Sequence, residues 1–176
     1  MSTVTEVTAD MPSRFRLAAP SRLEIHAERE VQRFLVTSSG GYFPILAALP
    51  SGRLVACVRE GDFHVGQRGR LAAVLSDDGG ESWGYPISID PRGPDDRNAA
   101  FGALPDGTLL CAFYRFQQYV NGVYQWSPET TVDVLLSRSS DGGETWSPAA
   151  PVESLAGQRF SAFGRMVVLS DGAILL

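Results

Sequence analysis

The sequence predicts an all-β chain built from repeated four-stranded antiparallel units. Three observations predict it. A short glycine hairpin recurs three times, an aspartate-rich turn recurs twice between the hairpins, and no segment sustains the 3.6-residue hydrophobic period of a helix.

The hairpins are Leu49-Pro50-Ser51-Gly52-Arg53-Leu54, Leu104-Pro105-Asp106-Gly107-Thr108-Leu109 and Leu169-Ser170-Asp171-Gly172-Ala173-Ile174. Each sets a polar, glycine-bearing turn between two apolar runs, the pattern of a β-hairpin. The second motif is Ser76-Asp77-Asp78-Gly79-Gly80-Glu81-Ser82-Trp83 and again Ser139-Ser140-Asp141-Gly142-Gly143-Glu144-Thr145-Trp146. The hairpin leucines are 55 and 65 residues apart and the aspartate turns 63, so the repeating unit has the length of a propeller blade with its loops. Within a unit, one run enters the hairpin and a second leaves it. A long loop follows, then a third run, the aspartate turn and a fourth stretch beyond the Trp, which together make an antiparallel meander. In the turn itself the carboxylates of Asp78 and Asp141 can accept backbone N–H bonds, Gly80 and Gly143 can take positive φ, and Trp83 and Trp146 can pack beneath the blade. Ser76 and Ser139 open the two motifs, and the role expected of all these residues is structural.

Composition excludes several classes. With 44% hydrophobic residues and a net charge of −5, the chain can bury a core and has no cationic excess for nucleic acid. Its apolar runs are far shorter than a membrane-spanning helix, and no signal peptide is readable near the N-terminus, so a cytoplasmic location is the expectation. Cys57 and Cys111 lie inside apolar runs and are read as buried free thiols. Two cysteines with the distant His26 and His64 do not make a metal site, so no metal and no cofactor is expected.

On the two aspartate turns and the repeating hairpin, over roughly residues 30–176, the chain resembles the sialidase superfamily, whose members carry this turn as the Asp box or BNR repeat. The resemblance implies a sialidase-type β-propeller, with six blades in a full-length protein and a substrate pocket on the face opposite the Asp boxes. About two and a half blades would be present here. The expected organisation is a flexible segment over residues 1–20 and a partial propeller over 21–176, with blade repeats at about 41–90 and 97–153 and an incomplete one at 160–176. Ile174-Leu175-Leu176 corresponds to mid-strand Leu54-Val55-Ala56, which is read as an N-terminal fragment, with ring assembly of several copies through open blade edges as the alternative.

The resemblance also assigns candidate residues. Sialidases grip the substrate carboxylate with arginines, one of them in an Arg-Ile-Pro motif opening the first strand. Here that segment reads Tyr42-Phe43-Pro44, and a phenol cannot replace a guanidinium. In the second repeat the equivalent position holds Arg97, flanked by Asp96 and Asn98. This cluster is read either as lining a ligand pocket or as an exposed salt-bridged loop. The family's acid/base aspartate falls in the loop after the second strand, which here contains Asp62 with Arg59, His64 and Arg68 nearby. A solvated loop carboxylate is the competing reading. Tyr114, Tyr119, Tyr124 and Trp126 are candidate sugar-stacking rings. Two functions stay open: a sialidase-like glycoside hydrolase acting on a terminal sugar, inactive as this fragment, or a non-catalytic propeller binding a glycan or a protein.

Overall fold

The computed structural model describes residues 21–22, 30–31, 33–38, 40–125, 133–153 and 162–175. The segment 1–20, His26 and Trp126, named above, lie outside the described residues. Among the described residues there is no helix, and all regular structure is strand.

A two-residue pairing of β1 (Ser21–Arg22) with β2 (Glu30–Val31) precedes the first blade. That blade is the antiparallel meander β3 (Gly40–Ala48), β4 (Leu54–Glu60), β5 (Arg70–Ser76) and β6 (Ile87–Ser88). The second blade repeats the plan with β7 (Asp96–Ala103) and β8 (Leu109–Arg115). Its long loop contains the hairpin β9 (Tyr119–Val120) and β10 (Val123–Tyr124), after which β11 (Asp133–Ser139) and β12 (Ala150–Pro151) complete the sheet. Then β13 (Gly164–Arg165) runs parallel to β7, and β14 (Val167–Val168) pairs with β15 (Ile174–Leu175). The sequence places the hairpin turns correctly but starts the first strands late. Strands β3 and β7 begin at Gly40 and Asp96, so Arg97 and Asn98 lie inside a strand, whereas the second run, expected over Leu54 to Arg59, is β4 with one residue more.

Side chains alternate across a strand, so a strand buried on both faces must be apolar at successive positions. Strands β4, β5 and β8 show this. Val55, Cys57, Leu71, Ala73, Leu75, Phe101, Leu109, Cys111 and Phe113 form one core between the two blades. The alternate residues Ala56, Val58, Ala72 and Val74 pack under Trp83 with Phe34 and Val36. On the far side of the second blade, Ala100, Leu110 and Ala112 meet Ala162 and Met166. Both cysteines are free and fully buried, which is where apolar runs carry a thiol.

The three hairpins close identically. Leu49, Leu104 and Leu169 each donate N–H four residues on, to the carbonyls of Arg53, Thr108 and Ala173, at 2.8–2.9 Å, and Gly52, Gly107 and Gly172 take φ of 85–89°. The two aspartate turns also match. Asp78 Oδ1 accepts from Ser82 N at 2.8 Å and Ser76 Oγ at 2.9 Å, and Asp141 Oδ1 accepts from Thr145 N at 3.0 Å and Ser139 Oγ at 2.8 Å. The indoles of Trp83 and Trp146 donate to the carbonyls of Gly80 and Gly143. Arg53 ties this end of the two blades together, bonding Asp77 at 2.7 Å and Glu144 at 2.8 Å.

Gly143 and Gly79 separate two costs. Both have positive φ, 95° and 74°, but a Cβ on Gly143 would sit 2.8 Å from Leu75 Cδ2, whereas Gly79 faces open space. Gly79→Ala should therefore cost about 1–2 kcal/mol for its left-handed backbone alone. Gly143→Ala should cost about 1–3 kcal/mol more through overpacking, read as a larger fall in the urea midpoint.

Candidate functional site

The end of the blades opposite the aspartate turns is where β3 and β7 begin and where the loops after β4 and β8 lie. Both first strands are irregular there. The β3–β4 register shifts between Gly40 and Tyr42 and again before Ile45, and the β7–β8 register shifts between Arg97 and Ala100. The positive-φ residues match across the 55-residue repeat: Gly40 at 107° with Asp95 at 44°, and Phe43 at 53° with Asn98 at 46°. A bulge re-aims the side chains of a strand, and left-handed backbone at a non-glycine residue is strained unless its surroundings hold it.

What holds it is a buried ionic network centred on Asp95. This carboxylate is fully buried, and Arg59, also fully buried, reaches across from the first blade to bond Asp95 Oδ1 at 2.8 Å. Arg97 pairs with the same carboxylate through two nitrogens, Nε to Oδ1 at 2.7 Å and Nη2 to Oδ2, and the hydroxyl of Tyr119 donates to Oδ2. Arg97 Nη2 also reaches Tyr119 Oη at 3.1 Å. Burial and then the bond to Asp95 push the Tyr119 phenol up to about 12, so it stays a proton donor. Next to this, Asp96 is bonded at both oxygens by Arg115, at 2.7 and 2.9 Å. Burial pushes Asp96 up to about 6, Arg115 pulls it back, and Asp90 and Asp95 add to the rise. Burial also works against Asp90, but bonds from Arg92 hold it down to about 2.

Arg59 fixes the loop after β4 as well. Its guanidinium donates to the carbonyls of Asp96 at 3.2 Å, Asp62 at 3.5 Å, Gly66 at 3.0 Å and Phe63. Gly69 makes the room, since a Cβ there would fall 1.7 Å from Arg59 Nη2, and Gly93 does the same for Arg115 at 1.8 Å. In this loop Asp62 is a cap. Its oxygens accept the N–H of Phe63 at 2.9 Å and of Arg68 at 3.2 Å, with Arg68 Nε 3.7 Å away. Those two backbone bonds hold its carboxyl below the usual carboxylate range.

The exposed surface beside the network is aromatic. His64 stacks on Tyr42 with centroids 6.1 Å apart and meets Phe43 edge-on at 5.1 Å, and Phe43 touches Phe163 at 6.1 Å. Farther in, the Arg97 guanidinium lies 4.7 Å over the Phe116 ring and 5.0 Å over Tyr124. Tyr114 and Tyr124 both pack edge-on against Phe116.

The structure thus places Tyr42 with His64, and Arg59, Asp96, Arg97 and Tyr119 around Asp95. Asn98 is a half-buried strained position of β7, and Asp62 stands apart as a loop cap. The Asp96-Arg97-Asn98 segment is neither an open pocket lining nor an exposed loop, because Asp96 and Arg97 are buried. Sequence reasoning missed Asp95, Arg115 and Phe116 as site residues. The run Asp95-Asp96-Arg97 carried a signal for the first, since adjacent acids beside an arginine fold into the interior only when paired. Among the described residues no group of three or more His, Cys, Asp or Glu side chains is placed to hold a metal ion, and no helix is long and apolar enough to cross a membrane.

No family model matches the sequence, and no curated protein matches it. Solved structures do. A protein of unknown function from Dyadobacter fermentans superposes with a TM-score of 0.62 at 21% identity over 77% of this chain and 45% of its own. A sialidase of Trypanosoma rangeli superposes at 0.57, with 16% identity over 92% of this chain and 30% of its own. The NanB sialidase of Streptococcus pneumoniae also gives 0.57, with 12% identity over 78% and 41%. The fold is therefore of the sialidase type and divergent in sequence. The chain spans less than half the length of these structures.

Two opposing pH dependences follow. Asp78 and Asp141 are held down to about 2 by the hydroxyl and N–H of Ser82 and of Thr145, and Asp90 by Arg92, so their stabilisation is lost as pH falls from the ordinary range near 3.8 through about 2. Asp96 acts in the other direction: its raised carboxyl favours the fold most below its ordinary value near 3.8, and that contribution is lost as pH rises through about 6. The thermal midpoint should pass through a maximum between these limits. Asp96→Asn should flatten the decline on the neutral side and leave the acid limb in place.

Proposed function

We propose that the chain recognises a terminal sugar of a glycan at the end carrying the first-strand starts, with Tyr42, Phe43 and His64 as the platform against which a pyranose ring packs. The observation that supports this is an exposed ring cluster beside two strained strand starts. Tyr42 is 36% and Phe163 60% exposed although both contact other rings. Single exposed rings are ordinary, whereas a contiguous exposed cluster of them marks a binding surface. An aromatic face suits the C–H face of a sugar, and Arg97 and Tyr119, at the same end of the blades, are held in place by Asp95.

A second reading is hydrolysis of that sugar, and the fold shared with solved sialidases favours it. A general acid must hold its proton close to the working pH, whereas the Asp62 carboxyl is kept low by two backbone N–H groups. The exposed ring cluster makes recognition the primary reading, and Asp62 is the residue that tests the other.

On an oligosaccharide array, Tyr42→Ala and His64→Ala should each weaken binding about tenfold, the loss of one stacked ring. Unchanged binding in both removes the platform. Turnover of an oligosaccharide, whose sugar leaving group needs a proton to depart, that survives in Asp62→Asn excludes Asp62 as the acid, and turnover abolished with binding retained supports it.

A further inference from the structure

We propose that Asp95 sets the specificity of this site, excluding sugars that bear a carboxylate and leaving it selective for a neutral terminal sugar. This rests on the glycan reading above. A guanidinium has five N–H donors, and those of Arg59 are all committed: Nε to the Asp96 carbonyl, Nη1 to those of Asp62 and Phe63, and Nη2 to the Gly66 carbonyl and the Asp95 carboxylate. Arg97 faces the same carboxylate with Nε and Nη2, and its planar faces lie against Phe116 and Tyr124. Arg115 is engaged in the same two-point manner by Asp96.

Two-point pairing with a carboxylate is what a guanidinium would offer an acidic sugar, and for Arg59, Arg97 and Arg115 that geometry is already filled from within. An incoming carboxylate must displace Asp95, a partner tethered in place at no cost of association, and must then lie beside the displaced charge. A neutral sugar meets no such competitor. It needs ring contact from Tyr42 and His64 and hydroxyl contacts at the rim, neither of which disturbs the buried network.

The test compares lactose-type neutral oligosaccharides with the same chains capped by N-acetylneuraminic acid, immobilised at equal density. The unaltered protein should bind the neutral set about tenfold more tightly, and Asp95→Asn, which keeps the shape and removes the charge, should narrow that ratio to about threefold or less. Equal or tighter binding of the capped chains by the unaltered protein overturns the selectivity while leaving glycan recognition standing. Binding of neither set overturns recognition itself. If Asp95→Asn does not fold, Tyr119→Phe, which loosens Asp95 without deleting it, is read by the same ratio. An unchanged ratio in a folded variant overturns the role of Asp95.

Discussion

The carboxylate of Asp95 is fully buried, and the guanidiniums that pair with it come from different blades. Arg59 arrives from β4 and Arg97 from β7. Removing the Asp95 carboxylate would leave two buried guanidiniums without their shared counter-charge, a loss of about 3–5 kcal/mol where buried pairs are broken. The network therefore fixes more than its own atoms. Through Arg59 it anchors the loop after β4, through Tyr119 the β9–β10 hairpin, and through the backbone of Asp95 itself the connection between blades, where Asp95 N donates to the Gln67 carbonyl at 3.0 Å and Phe116 N donates to Asp95 O at 3.0 Å.

The two ends of the blades use charge differently. At the aspartate-turn end the carboxylates of Asp78 and Asp141 are spent within their own turns, and Arg53 crosses between blades in a partly solvated position. Such an arrangement contributes locally and is screened by salt. At the strand-start end the Asp95 network is buried and shared between blades. Strain is concentrated there too, at Phe43, Asp95 and Asn98, while the three repeated Gly52, Gly107 and Gly172 hairpins place their positive φ on glycine. One end is thus built from repeated, self-sufficient turns, and the other from side chains that depend on each other.

That contrast explains what was legible in the sequence. The aspartate turns and hairpins are local: Ser76, Asp78, Gly80 and Trp83 bond within eight residues, so spacing alone discloses them. The apolar runs of β4, β5 and β8 could be read as strands for the same reason. The site could be read only in part. Tyr42, His64, Arg59, Arg97 and Tyr119 are candidates by type and repeat position, but their grouping depends on pairings such as Arg59 with Asp95, 36 residues apart. No periodicity encodes such a pairing. The two backbone bonds lower the Asp62 carboxyl most; of the neighbours expected to tune it, Arg68 and Arg59 do lower it, but less, because the Arg59 head group turns inward to Asp95, and His64 turns to Tyr42.

Gly69 and Gly93 carry a consequence of a different kind. Neither needs left-handed backbone; each is glycine because a guanidinium occupies the volume a side chain would take. The requirement belongs to the arginine and not to the loop. In a homologue where a small residue replaces the arginine at position 59, position 69 would be released from glycine, and the two should change together. A paired exchange of that kind would mark a lineage in which the loop after β4 had been cut free from the neighbouring blade and could take up another shape.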